Sequence, residues 1–198
     1  MNASFSTQQR EINPFSGGCS ALSFATQDGK HLLARNYDYP SAQGTAVTFI
    51  PRNYEFYRLQ HDPNIPPNVT SYACIGMGFL GYASAILYDG VNEKGLCGSM
   101  LLYPEYTRDS KSPQGEHPIN SAFYLTAVLT ECASIEDALL FFENNSLAHE
   151  ELIPGVQIPA HYLLTDLSGE TIVVEPSEDG LNVFRDSIGI LTNAPNYE

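Results

Sequence analysis

The stretch from Gly17 to Asp38 constrains this chain more than any other. Small or polar residues alternate with apolar ones along Ala21-Leu22-Ser23-Phe24-Ala25, the pattern breaks at Asp28-Gly29, and strand composition resumes through Leu32-Leu33-Ala34-Arg35. An Asp-Gly pair between two such arms predicts an antiparallel hairpin. With Asp28 and Gly29 as a two-residue loop, Cys19 at the start of the first arm faces Asp38 at the end of the second. The hairpin then carries a thiol and a carboxylate to one place. Successive side chains on a strand point to opposite faces, so Arg35 needs a bulge or bend to join them.

Around this hairpin the chain supplies material for one sizeable core and not two. It has 198 residues, 43% hydrophobic and 16% charged, which is the range of a single domain. Its 23 acidic residues against 9 basic ones give a net charge of -14. That balance opposes nucleic acid and anionic membranes, whose binding needs clustered Lys and Arg, and favours a small-molecule ligand. Met1 to Gly18 lacks the apolar core of a secretory signal, and no stretch approaches the ~20 apolar residues of a membrane span. A soluble cytoplasmic protein is the expectation.

Cys19, Cys74, Cys97 and Cys132 show neither zinc-site pairing nor the density of a disulfide scaffold. Cys74, Cys97 and Cys132 sit in or beside apolar runs and read as buried small hydrophobes. Only Cys19 has another role open to it. The histidines His31, His61, His117, His149 and His161 form no metal-binding pair. His161 opens an apolar strand and reads as a core residue, whereas His117 and His149 lie in polar surroundings. A Cys-His pairing with Cys19 stays open at this level. Gly76-Met77-Gly78 lacks the helix and third glycine of a phosphate loop. No metal and no cofactor are expected.

Beyond the hairpin, short strands are expected at Thr45–Ile50, Tyr54–Leu59, Ser71–Met77, Ala83–Tyr88 and Leu96–Tyr103. A proline-rich loop spans His61–Asn68, and Asp89-Gly90 reads as a turn. Helical spacing follows over Ile119–Cys132, and Ser134 with Asp137 has capping-box spacing ahead of Ile135–Asn144. Strands return at His161–Asp166, Thr171–Glu175 and Leu181–Arg185, with turns at Leu167-Ser168-Gly169 and Glu178-Asp179-Gly180. Strands, a helix pair and strands again indicate an α+β fold built on antiparallel sheet.

Four short motifs appear in order: Gly18-Cys19-Ser20, Arg35-Asn36-Tyr37-Asp38, Asn92-Glu93-Lys94-Gly95-Leu96 and Leu191-Thr192-Asn193-Ala194-Pro195. Together they resemble the choloylglycine hydrolase family, which includes bile salt hydrolases and penicillin V acylases and belongs to the N-terminal nucleophile (Ntn) hydrolases. The resemblance runs from Cys19 to the last residue. It implies a four-layer αββα sandwich of antiparallel sheets, present here without its C-terminal part and without the second active-site arginine that relatives carry downstream. It also implies that residues 1–18 are a propeptide removed between Gly18 and Cys19, that 19–198 are the N-terminal portion of one Ntn-hydrolase domain, and that the protein is a homo-oligomer, commonly a tetramer. The plainer alternative for residues 1–18 is a tail or cloning remnant.

A cysteine thiol is only a few per cent ionised at neutral pH and needs a base. Once Cys19 is the first residue, its own α-amine, with a pKa of about 7.7–8.0, can serve. In that scheme Asp38 orients the α-ammonium, Arg35 favours the thiolate by its fixed charge, and Asn193 resembles the family's oxyanion donor. Arg35 and Asp38 as a structural ion pair, and Asn193 as a turn residue before Pro195, are the competing assignments. Leu102 aligns where bile salt hydrolases have asparagine and penicillin V acylases tyrosine, and Tyr103 restores an aromatic one residue on. An apolar or aromatic lining of Leu102 and Tyr103 suits a phenoxyacetyl or fatty acyl group, so a penicillin V acylase-like amide hydrolase is the leading expectation. Bile salt hydrolysis and acyl-homoserine lactone deacylation are the enzymatic alternatives. An inactive precursor or truncated ligand-binding fragment is the alternative of another class.

Overall fold

The computed structural model describes residues 18–39, 44–58, 66–81, 84–103, 117–148, 158–177 and 180–197. The first strands in chain order are β1 (Ser20–Ala25), β2 (His31–Asn36), β3 (Ala46–Ile50), β4 (Glu55–Phe56), β5 (Asn68–Val69), β6 (Cys74–Gly81), β7 (Ser84–Leu87), β8 (Asp89–Asn92) and β9 (Cys97–Leu102). Strand β10 (His117–Asn120) leads into helices α1 (Ser121–Glu131) and α2 (Ile135–Asn144). They are followed by β11 (Asn145–Ala148), β12 (Ala160–Thr165), β13 (Thr171–Ser177), β14 (Gly180–Phe184) and β15 (Ile190–Thr192).

An eight-stranded sheet in the order β14-β13-β12-β9-β8-β6-β3, with β7 also on β6, pairs antiparallel throughout. A three-stranded sheet, β15-β1-β2, lies over one half of it. Residues alternate across the large sheet, and the two faces have different partners. Met100, Tyr162, Leu164, Ile172 and Val174 pack with Phe123, Leu125 and Val128 of α1 in the main core. Leu101, Leu163 and Val173 face the other way, onto Cys19, Ala21 and Leu191 of the small sheet. The layers among the described residues are sheet, sheet and helix pair, three of the four layers of the αββα sandwich; α1 and α2 are the helices among them.

The helix boundaries follow local chemistry. Asn120 caps α1 by accepting from Ala122 N at 3.0 Å. Ser134 Oγ accepts from Asp137 N at 3.2 Å at the start of α2, and Asp137 turns back to Ala133 N at 2.9 Å. This is the reciprocal logic of a capping box displaced by one residue.

Three expectations are corrected. Strand Tyr54–Leu59 shrinks to Glu55–Phe56 with Leu59 outside the described residues, and Asn68, expected in the loop, pairs with Phe56 in β4-β5. Asp89-Gly90 is not a turn but the start of β8, opposite Ser99 and Gly98. The hairpin register is also displaced. Thr26 N donates to Lys30 O at 2.7 Å and Gly29 N to Thr26 O at 2.9 Å, so Gln27, Asp28 and Gly29 all fill the loop. Gly29 adopts φ 78°, the left-handed position of a three-residue hairpin, and Thr26 Oγ1 hydrogen-bonds Asp28 Oδ1 at 2.5 Å. Ser20 consequently pairs with Asn36 and Ala21 with Arg35.

A bulge in the centre of the large sheet bears directly on the site. Gly78 pairs with Leu87, yet Ile75 pairs with Val91, so the strand running through β7 and β8 holds one extra residue at Tyr88-Asp89. A bulge re-aims the side chain next to it. Here Asp89 Oδ1 accepts from Met77 N at 3.1 Å, occupying a donor that the broken ladder releases. The crossing is tight: a Cβ on Gly76 would lie 1.9 Å from the Asp89 carbonyl oxygen. Backbone cannot swing aside as a side chain can, so Gly76→Ala is expected to cost about 2–4 kcal/mol. Urea unfolding measures this, and an unchanged midpoint would contradict the crossing.

The other half of the same sheet face, beyond the small sheet among the described residues, is apolar. Val47 and Phe49 of β3 pair with Met77 and Ile75 of β6, and Ile75 pairs with Val91. All five are exposed.

Candidate active site

The corrected register removes the need for a bend in β2. Continued from Ser20 opposite Asn36, the pairing sets Cys19 opposite Tyr37 and Gly18 opposite Asp38. Cys19, Ala21, Arg35 and Tyr37 then share the face turned to the large sheet. Arg35 reaches diagonally to the thiol, with Nη2 donating to Cys19 Sγ at 3.6 Å. Its Nη1 lies 3.5 Å from Asp89 Oδ2, and its guanidinium stands 4.9 Å over the Tyr37 ring. The Arg35 side chain is 4% exposed. A cation so buried requires a carboxylate nearby, and the bulge at Tyr88-Asp89 supplies it. Among the described residues nothing accepts a hydrogen bond from Arg35 Nε or Nη1, so Asp89 meets the buried charge as an ion pair at 3.5 Å.

Asp38 and Arg35 are not ion-paired, contrary to one reading of the sequence; the partner of Arg35 is Asp89. The Asp38 carboxylate lies by Gly18, where a glycine Cβ would stand 3.9 Å from Asp38 Oδ2. That separation is ordinary contact, so the missing side chain of Gly18 is not demanded by space in the folded chain.

Asn193 follows β15 and meets the other side of Cys19. Its Oδ1 accepts from Cys19 N, and its Nδ2 donates to Leu102 O at 2.6 Å. The two contacts select one orientation of the amide, and Nδ2 keeps a second hydrogen for another acceptor. Leu102 thus enters through its carbonyl. Tyr103 is buried, its ring stacked on His161 at 4.7 Å between centroids and 10° between planes, so it does not form an open aromatic wall. His161 is buried as expected, His117 lies on β10, and His61 and His149 fall outside the described residues, as do residues 1–17.

Two contributors escaped sequence reasoning. Asp89 was concealed by the glycine after it, which reads as a turn; the signal available was that a strand-borne arginine bound for a core needs a carboxylate. Tyr37 stacks on Tyr88 at 4.9 Å and 11°. Burial, with Tyr88 beside it, holds its hydroxyl well above the usual phenol range, so near neutral pH it is a protonated wall of the site and not a base.

Cys74, Cys97 and Cys132 are held protonated by their surroundings. Burial pushes the Cys74 thiol up to about 12, and burial also raises Cys132 and Cys97, with nearby carboxylates adding to both. A raised thiol stays protonated until the pH climbs through its folded value, and the thiolate is the reactive form. Brief iodoacetamide treatment of the folded protein at pH 8 is expected to label Cys19, whose sulfur accepts from the Arg35 guanidinium, ahead of the other three. Peptide mass spectrometry reads the order, and labelling of Cys74 or Cys132 first would contradict it.

Comparison with known proteins places the chain in a family and a fold. Residues 19–198 match the family model of linear amide C–N hydrolases, choloylglycine hydrolase family. A bile salt hydrolase/transferase of Clostridium perfringens is 33% identical over 184 residues, covering 91% of this chain and 54% of the relative. A conjugated bile acid hydrolase of Lactobacillus gasseri is 32% identical over 189 residues, covering 90% and 56%. The solved structure of a variant conjugated bile acid hydrolase from C. perfringens superposes with a TM-score of 0.80 at 31% identity, over 90% of this chain and 54% of that one. Penicillin V acylase from Agrobacterium tumefaciens shares the fold with a TM-score of 0.66 at 23% identity, over 90% and 53%. The chain spans about half the length of the curated relatives it matches. No helix among the described residues is long and apolar enough to cross a membrane. The sheet-on-sheet architecture and the match along residues 19–198 lead to one conclusion: this chain belongs to the choloylglycine hydrolase family of linear amide C–N hydrolases.

Proposed function

We propose that Cys19 is the nucleophile of an acyl-amide hydrolase and becomes competent when the Gly18–Cys19 peptide is cut. The carrying observation is the 3.6 Å contact from Arg35 Nη2 to Cys19 Sγ, between residues 16 apart in sequence. Solved structures of the C. perfringens relative include an arginine-to-leucine variant and a cysteine-to-alanine mutant, at positions with that same separation. While Gly18 is attached, the Cys19 nitrogen is an amide and no base. Cleavage turns it into an amine against Asn193 Oδ1, with the Asp38 carboxylate alongside.

The amine takes the thiol proton, the thiolate attacks the substrate carbonyl carbon, and the carbonyl electrons move onto oxygen. The free Nδ2 hydrogen of Asn193 and the guanidinium of Arg35 are the donors at hand for that oxyanion. Collapse expels the substrate amine, which takes back the proton from the α-ammonium. Water then cleaves the thioester, returning the thiol and releasing the acid. Every step is a proton or acyl transfer.

Among acyl amides, conjugated bile acids are the favoured substrate. The C. perfringens and L. gasseri relatives carry bile salt and bile acid names, and the aromatic lining that argued for penicillin V is weakened by the burial of Tyr103 against His161. Penicillin V is the second choice. A chain that binds a partner or ligand without turnover is favoured by one observation, the bare apolar face of Val47, Phe49, Ile75, Met77 and Val91. Release of amine from a conjugated bile acid, penicillin V and an acyl-homoserine lactone, measured side by side, ranks these readings. The expected order puts the bile acid first. No release from any of them, with a Cys19 that resists alkylation, would overturn the hydrolase reading.

A further inference from the structure

The oxyanion and amine contacts of Asn193 depend on where its short segment is held, and that segment is fastened by a buried group outside the reacting set. Glu175 is 3% exposed, and an isolated carboxylate is not tolerated in such a place. Its two oxygens accept from Tyr197 N at 3.1 and 3.0 Å, four residues beyond Asn193. Glu175 Oε1 also meets Nδ1 of the fully buried His161 at 3.0 Å, and the His161 ring carries Tyr103 stacked on it. Tyr103 follows Leu102, whose carbonyl receives Asn193 Nδ2. The Tyr197 hydroxyl accepts from Ile188 N at 2.7 Å, so Tyr197 closes the loop on both flanks of β15.

We infer that Glu175 is a positioning residue for the thiol site: by holding the Tyr197 N–H from beneath, with His161 as its buried counterpart, it fixes the 193–197 segment so that Asn193 stands over Cys19. The contacts form one circuit, from Asn193 through Tyr197, Glu175, His161 and Tyr103 back to the Leu102 carbonyl. This rests on the reading of Cys19 and Asn193 given above, but the mechanical part is measurable without turnover. Losing a hydrogen bond to a charged group corresponds to about tenfold to a hundredfold in local opening.

The deciding experiment is hydrogen–deuterium exchange of the full chain, with the β1-β2 hairpin as internal reference. Glu175→Gln is expected to speed exchange of the 193–197 peptide by about tenfold or more, with the hairpin unchanged. Tyr197→Pro, which deletes the donated N–H and leaves the buried pair, is expected to loosen the same segment by a second route if Glu175→Gln does not fold. Tyr197→Ala keeps the N–H and is expected to loosen it less. In turnover, Glu175→Gln is expected to lower kcat about tenfold with KM little changed, and Asn193→Ala added to it to cost less than in the native chain. Unchanged exchange in Glu175→Gln, equal loosening by Tyr197→Ala, or additive losses with Asn193→Ala would overturn the inference. A native chain without turnover would sink the hydrolase reading alone and leave exchange to decide the clamp.

Discussion

Alanine at Cys19 is expected to abolish amide release, with a loss of about 10⁴-fold or more, because removing the nucleophile leaves only binding and oxyanion contacts. The fold should survive. Cys19 packs with Ala21, Leu101, Leu163, Val173 and Leu191, and deleting one sulfur from that cluster costs on the order of 1 kcal/mol. Cys19→Ser is the sharper variant, since it keeps shape, amine and every neighbour while exchanging the sulfur for a hydroxyl that ionises far less readily. It too should be nearly inactive. Steady-state turnover beside thermal unfolding checks both, and substantial activity in either variant would remove the thiol from the mechanism.

Asn193→Ala carries the second largest expected effect. The amide does two things in the structure, accepting from Cys19 N and donating to Leu102 O, and a third is proposed for its remaining hydrogen. Loss of one oxyanion donor costs about 10²–10³ in kcat. A turn residue before Pro195 would behave differently: its replacement would lower the unfolding midpoint and leave kcat alone. Asn193→Ala is therefore expected to show the large kcat loss with a modest change in stability. The reverse pattern would return Asn193 to the role of a turn residue.

Much of the architecture was legible because local signals and tertiary demands agree. The helix over Ile135–Asn144 was bounded by Ser134 and Asp137, whose side chains make the expected caps. The strands at Cys97–Leu102 and Thr171–Ser177 carry residues that both layers need. Failures came where a single residue changes parity. Including Gln27 in the hairpin loop moves Asp38 from Cys19 to Gly18 and turns Arg35 onto the thiol's own face. One extra residue at Tyr88-Asp89 converts an apparent turn into the strand that supports Arg35. Loop size and bulge position depend on side-chain contacts such as Thr26 with Asp28 and on backbone crossings such as Gly76 under Asp89, which periodicity does not encode. Motif residues were thus easier to name than to place. The short β15 escaped because three residues hold too little pattern, although it brings Asn193 to the site.

The central claim is that the sulfur of Cys19 becomes reactive toward acyl amides when its nitrogen becomes a free amine. Intact mass and peptide mapping of the protein, quenched in acid during turnover of a conjugated bile acid, address both halves together. The account predicts a polypeptide that starts at Cys19 and carries the acyl mass on that residue. A chain still bearing residues 1–18 that turns substrate over at full rate, or an acyl group attached elsewhere, would contradict it.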